Sequence, residues 1–251
     1  MILSRIKQEC RYLTAPSWSF AELAKFWDSL IDYEDKNEEA YSYFRRFTDA
    51  YKLSQIKDDS EVLDICSRSG YGTLLFSRHG KIRQAVCADV SQRLLEVCLS
   101  RLKKEGIEVE GVRIENLPLP FTSGRFDAIL CFETVEHMPQ PEIFIKELGR
   151  VIKTGGELIL TTPNVLWEPL HSLAAVLNLH HSEGPHRFLS RKKLRRYLAD
   201  AGFAIKTEAT TVLLPFNNRF SIEVNDWLEK QFWNSLLPLL GLRRIFISVR
   251  T

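Results

Sequence analysis

The 251-residue chain has no run of about eighteen apolar residues, the length that a membrane-spanning helix needs, so no transmembrane segment is expected. A CxxC pair is also missing. The five cysteines, at positions 10, 66, 87, 98 and 131, are scattered, and three of them fall in predicted buried strands or on an apolar helix face. They read as reduced core residues, and a disulfide framework is not expected. Charge of one dominant sign is absent as well: 34 Lys and Arg stand against 32 Asp and Glu, a net +2. That balance gives no ground, by itself, for nucleic-acid binding. The first residues turn polar at Arg5, Lys7 and Glu9, too early for a signal peptide, and a cytoplasmic protein is expected. Residues 66–72 do not supply a GxGxxG loop, which removes the ground for a nicotinamide-dependent oxidoreductase. His180, His181 and His186 match no standard zinc spacing and have only Glu183 as a nearby acid, so no metal is expected. Substrate contact or hydrogen bonding within their loop is the reading kept for them. No internal repeat or low-complexity tract appears.

What is present suits one globular domain with additions: 45% of residues are hydrophobic and 26% charged. The chain is organised around residues 61–73. Val62, Leu63 and Ile65 make an apolar run, and Gly70 and Gly72 permit a tight loop before a helix. Asp64 sits inside the run, where a carboxylate needs partners. Nineteen residues past Gly70, a second short apolar run ends in Asp89. Strand, small-residue loop, helix, strand and acid form the general signature of a nucleoside site in a doubly wound sheet.

Strands are predicted at 61–65, 84–89, 108–114, 126–132 and 156–162, with helices near 72–79, 91–105 and 140–153. Ser91 caps the second of these helices and Gly106 ends it; Leu94, Leu95, Cys98, Leu99 and Leu102 form its buried stripe. A capped helix from Ser190 to about Ala201, a sixth strand at 203–208, a helix over 219–240 and a last strand at 245–249 follow. Apolar strands alternating with amphipathic helices imply an α/β, doubly wound, mostly parallel sheet, and right-handed crossovers place the strand C-termini on one edge. Residues 1–55 are rich in aromatics. Helical spacing over 21–30 and 37–53, with Asn37 as a cap after a polar turn, gives a helical prefix that packs on, or forms a lid over, the domain at 56–251. An insertion at 163–187 lies at the same edge and includes a short apolar helix.

With that pattern assembled, the chain resembles the class I S-adenosylmethionine-dependent methyltransferases of the type 11 kind, over roughly residues 58–208. The resemblance rests on residues 61–65 (EVLDI), 70–73 (GYGT), 88–91 (ADVS), 115–121 (ENLPLPF), 125–137 (RFDAILCFETVEH) and 148–164 (LGRVIKTGGELILTTPN). It implies a seven-stranded Rossmann-like sheet whose last strand is antiparallel. It also implies S-adenosylmethionine as cofactor, S-adenosylhomocysteine as product, and methyl transfer by in-line displacement to a small-molecule or lipid- or sugar-linked acceptor. Carried over by position, Asp64, Ser67, Gly70 and Gly72 face the methionine end, and Asp89 with Val90 faces the ribose. Ile114 and Glu115 lie by the adenine, and Phe132 and Glu133 at the boundary between cofactor and acceptor. Cys66, Ser67 and Arg68 replace the family's Gly-Cys-Gly, and Arg113 stands where an acid usually lies. Residues 132–135 do not match the Asn/Asp-Pro-Pro-aromatic motif of members that methylate base amines.

Arg68 has several readings: it blocks the crevice, points outward, or pairs with Asp64 or the methionine carboxylate. The loop's backbone donors are expected to serve if φ at 68 is negative. Glu136 and His137 are the catalytic candidates. His137 suits a general base when the acceptor must shed a proton, and it suits equally a hydrogen bond that orders the loop. The cations at 187, 191, 192, 193, 195 and 196 form a solvated helix face or attract an acidic substrate. Residues 232–242 pack in the core, touch a membrane surface or meet a second copy. The acceptor pocket is expected from residues 1–55, 163–187 and 210–220. A catalytically inactive scaffold or partner protein is the alternative function, motivated by Cys66, Arg68 and Arg113.

Overall fold

The computed structural model describes residues 2–15, 17–30, 41–177, 184–216, 218–232 and 237–251. In chain order the elements are α1 (Ile2–Thr14), α2 (Phe20–Asp28), α3 (Tyr41–Leu53), β1 (Ser60–Ile65), α4 (Tyr71–Arg78), β2 (Ile82–Asp89), α5 (Gln92–Lys104) and β3 (Glu110–Arg113). They continue with β4 (Phe126–Phe132), α6 (Pro141–Val151), β5 (Ile152–Pro163), α7 (Glu168–Val176), α8 (Arg191–Asp200), β6 (Phe203–Thr211), α9 (Arg219–Phe232) and β7 (Arg243–Arg250). All seven strands form one sheet in the order β3-β2-β1-β4-β5-β7-β6. β1 pairs in parallel with β2 and β4, while β7 runs antiparallel between β5 and β6. The doubly wound, mostly parallel sheet is therefore the architecture.

Alternate residues of the central strands go to opposite faces, and both faces are dry. Leu63, Ile65, Val86, Ile129 and Leu158 join one core with α6 and α8; Val62, Leu130, Ile159 and Ile247 join the other with Tyr43, Phe47 and Ala50 of α3 and Phe76 of α4. The N-terminal region divides between these jobs. α3 packs on the second face, whereas Trp18, Leu23, Ala24 and Trp27, in and just before α2, enter the first core at the C-terminal edge of the sheet.

The strand pattern agrees with the sequence reading to within a few residues, because the central strands β1, β2 and β4 are short apolar runs bounded by turn residues. α1 has no counterpart in that reading. The predicted helix over 219–240 is α9 to Phe232 and a 3-10 turn at Leu237–Leu240. Of the apolar stretch at 232–242, Leu242 is buried while Phe232, Leu239 and Leu240 are exposed, so core packing describes only part of it. The Asn37 cap and residues His180, His181 and Glu183 lie outside the described residues.

Candidate functional site

The C-terminal ends of β1, β2 and β4 meet at one crevice. Asp64, buried in β1, accepts the amide of Thr73 at 3.0 Å and its hydroxyl at 2.8 Å, tying the strand to the start of α4. These are the partners a carboxylate in an apolar run requires. Burial pushes its pKa up to about 6 against those bonds. Gly72 has no room for a side chain: a Cβ there would lie 2.8 Å from the Phe132 ring and 3.0 Å from Asp64 Oδ2. Gly70 holds φ +81°, and a Cβ would meet Cys98 Sγ at 2.8 Å. Asp89, at the end of β2, accepts the amide of Arg68 through Oδ2 and that of Ser91 through Oδ1, both at 2.9 Å. Burial raises its pKa to about 6, opposed by those amides.

The backbone of the loop corrects one expectation. Cys66 has φ +54° and Arg68 φ +48°, the left-handed region that glycine adopts without cost. A negative φ at 68 is not needed for its N–H to serve; the positive φ is what accompanies its bond to Asp89. Two side chains sit on a glycine-shaped backbone, at a cost of about 1–2 kcal/mol each.

The Arg68 side chain enters the crevice. It is buried, its Nη2 donates to the Glu133 carbonyl at 2.8 Å, and its guanidinium lies 4.6 Å from the ring centre of Trp27. Trp27 and Leu23 come from α2, which is fastened across the edge. Asp28 accepts the Ser91 hydroxyl at 2.5 Å and the Arg93 amide at 3.3 Å, and Trp18 Nε1 donates to the His137 carbonyl at 2.7 Å. The remaining space among Leu23, Trp27, Arg68, Asp89, Glu133 and His137 is about 10 Å³, at the lower limit of the roughly 10–15 Å³ that holds one water.

Glu133 forms a buried ion pair with Arg243 at 3.0 Å. Burial opposes its charge, but Arg243 and Arg46 outweigh that and hold its carboxyl below the usual range. Glu136 is the contrary case. It accepts the Thr162 hydroxyl at 3.0 Å, its Oε1 has no hydrogen-bond partner, and burial plus the charge of Glu133 push it up to about 8. His137 Nδ1 lies 3.1 Å from the Pro185 carbonyl, which can only accept. Nδ1 therefore carries a proton and donates to that carbonyl.

Of the residues singled out by sequence, Asp89, Val90, Glu133 and His137 line the crevice. Asp64, Gly70, Gly72 and Phe132 build the ground beneath it. Ser67 is buried with a hydroxyl that has no partner, Ile114 is tied by its amide to the Asp89 carbonyl, and Glu115 is exposed and outside the wall. Leu23, Thr134 and Met138 also line the crevice and were not named from sequence; Trp27, which lines it too, is legible from sequence only as one of the aromatics of the packing or lid-forming prefix. A capping box, in which Ser19 and Glu22 bond reciprocally, fixes the start of α2; the S-x-x-E spacing was the readable signal. Among the described residues no cluster of three or more His, Cys, Asp or Glu suits a metal.

This edge carries two strand-end acids and a glycine-shaped loop, the arrangement that the sequence resemblance anticipates. A methyltransferase domain model matches residues 63–160. The ubiquinone biosynthesis O-methyltransferase of Xanthomonas axonopodis is 26% identical over 170 residues, covering 64% of this chain and 69% of that protein. The ubiquinone/menaquinone biosynthesis C-methyltransferase of Rhizobium meliloti is 32% identical over 109 residues, covering 41% of this chain and 42% of that protein. The chain thus spans about two thirds of the first relative's length and less than half of the second's. A solved S-adenosylmethionine-dependent methyltransferase from Thermotoga maritima has a TM-score of 0.64 at 18% identity, covering 91% of this chain and 100% of the other. Residues 63–160 thus match a methyltransferase domain, and the chain shares its fold with S-adenosylmethionine-dependent methyltransferases. The residues nevertheless do not fit S-adenosylmethionine in this conformation: Arg68 and Trp27 fill the volume, and Asp89 already serves two backbone amides.

Proposed function

We propose that the chain is an S-adenosylmethionine-dependent methyltransferase acting on a small-molecule acceptor, and that Arg68 and α2 must leave the crevice before the cofactor enters. The observation that carries this reading is the loop backbone. Cys66 and Arg68 keep a glycine-like φ at an energetic cost, while Asp64 and Asp89 remain at the two strand ends. Strain held in a loop at a sheet's C-terminal edge is a signature of function rather than of packing alone. The two curated relatives are named for O- and C-methylation, so they support methyl transfer without naming this chain's acceptor atom. A second reading, an inactive methyltransferase-like scaffold, is favoured by the Arg68 side chain inside the crevice.

Calorimetry with S-adenosylhomocysteine on the wild type and on Arg68→Gly separates the two. The expected result is binding that is at least tenfold tighter in the variant, with circular dichroism unchanged. If neither folded protein binds at millimolar ligand, the methyltransferase reading is lost and the scaffold stands. If the wild type binds as tightly as the variant, the gating role of Arg68 is lost while the methyltransferase reading remains.

A further inference from the structure

The insertion after β5 turns its apolar side outward. α7 is held by one flank: Ala175 is buried, Glu168 Oε1 accepts the Phe188 amide at 3.2 Å, and the His171 ring centre lies 5.4 Å from that of Phe188. Leu166, Leu170, Leu173 and Leu177 recur at three- and four-residue spacing on the opposite flank, and each is between 51% and 58% exposed. A surface helix ordinarily buries such a stripe and leaves its polar side to water. The apolar surface extends beyond the helix. Trp167 Nε1 donates to the Leu240 carbonyl at 2.7 Å and Asn164 Nδ2 to the Leu239 carbonyl at 2.9 Å. These bonds seat the 3-10 turn Leu237–Leu240 at the start of α7, with Leu239 and Leu240 exposed. α1 packs on α7 and adds Leu3, which is 74% exposed, and Ile6.

The charge on this face has one sign. Leu3, Lys7 and Arg11 follow one another at four-residue spacing along the exposed flank of α1, and neither cation is in an ion pair among the described residues. Glu9, the acid of α1, is buried, and Glu168, that of α7, is turned toward Phe188. Glu22 on α2 lies within reach of the Arg11 charge, but its carboxylate is bonded to the Ser19 amide and hydroxyl at 2.8 and 2.9 Å and not to Arg11. The large side chains exposed on α1, α7 and the 3-10 turn are leucine and isoleucine, with no aromatic ring among them. Protein interfaces are anchored mainly by Trp, Tyr and Arg, with Leu under-represented. Leucines bordered by cations and free of acids match instead the boundary of headgroups and acyl chains in an anionic bilayer.

We propose that the outward face of α1, α7 and the turn Leu237–Leu240 docks on the surface of a membrane that contains anionic phospholipid. The leucines enter the acyl boundary, and Lys7 and Arg11 meet the lipid phosphates. None of the described helices is long and apolar enough to cross a membrane, so the contact is peripheral. α7 follows β5 at the C-terminal edge of the sheet, so docking brings the crevice edge toward the lipid. That the methyl acceptor arrives from the bilayer rests on the function proposed above; the docking itself does not.

The test is co-sedimentation of the full chain, without any S-adenosyl compound, with vesicles of phosphatidylcholine alone or with about one third phosphatidylglycerol. The wild type is expected to pellet with the mixed vesicles and to partition at least fivefold more weakly onto phosphatidylcholine alone. Leu170→Gln/Leu173→Gln should bind the mixed vesicles at least tenfold more weakly, with circular dichroism and the urea midpoint unchanged because both side chains already face water. Lys7→Gln/Arg11→Gln should lose at least threefold on the mixed vesicles and nothing on phosphatidylcholine. A wild type that stays in the supernatant with both vesicles, or either double variant binding the mixed vesicles as the wild type does, overturns the proposal. So does a dimer in sedimentation velocity that the leucine variant abolishes while the vesicles bind neither protein, which assigns the face to a second copy. Vesicle binding without S-adenosylhomocysteine binding sustains the docking and removes methyl transfer; the opposite pattern sustains methyl transfer and removes the docking.

Discussion

At position 68 the backbone and the side chain answer to different neighbours. The amide serves Asp89, as a glycine there could, and the guanidinium occupies the space that a glycine would leave open. Sequence made the anomaly visible but not its direction, because the sign of φ is not encoded by a residue type that usually avoids the left-handed region. Asp64 and Asp89 were legible for the opposite reason: an acid at the end of an apolar run has few explanations. The same scale yields a pH prediction for Glu136. Its folded pKa of about 8 is above its unfolded value, so the folded state holds a proton that the unfolded state has released. Stability from this group is present below about pH 4.5 and is lost as pH rises through 8. Asp64 and Asp89, raised to about 6, lose theirs between about pH 4 and 6, which leaves the window from 6 to 8 to Glu136 among these three acids. Urea unfolding across that window should show a decline in the wild type that Glu136→Gln removes, a difference of about 2 kcal/mol at roughly 1.4 kcal/mol per pH unit.

At the scale of elements, the strands were readable as apolar runs, and α5 was readable from its cap and stripe. The aromatic density of residues 1–55 announced burial but gave two destinations, and the structure uses both: α3 on a sheet face and α2 across the edge. Nothing local distinguishes them, because the partners of Trp27 and Asp28 are more than sixty positions away or supplied by the anomalous loop. α2 is short and is held at its end by Asp28. Asp28→Ala removes the acceptor for the Ser91 hydroxyl and the Arg93 amide, a loss of about 1 kcal/mol. Hydrogen exchange should accelerate severalfold in the α2 amides while those of β1 and β4 keep their protection. Uniform acceleration through the sheet would show that α2 is not a separately opening element.

At the scale of the whole molecule, the antiparallel β7 does more than complete the sheet. Through Arg243 it reaches Glu133 at the crevice and the Ser42 carbonyl in α3, joining the sheet's last strand to both the site and the prefix. Breaking a buried pair strands a charge, so Arg243→Met should cost about 3–5 kcal/mol in urea unfolding at neutral pH. A cost below 1 kcal/mol would mean that Arg46 alone sustains the Glu133 charge. The mostly parallel sheet and its antiparallel last strand followed from the resemblance and the alternating pattern. The link between β7 and the crevice did not, since it depends on two side chains 110 positions apart.

A crevice packed with the protein's own Arg68 and Trp27 also sets an exchange rate for whatever enters it. A ligand's apparent affinity is its intrinsic affinity multiplied by the fraction of molecules that stand open. Each 1.4 kcal/mol by which the closed form is preferred weakens binding about tenfold, without altering one contact in the bound complex. Substitutions on α2, far from any atom of the ligand, therefore tune how much ligand is needed, and the interior of the site remains the same.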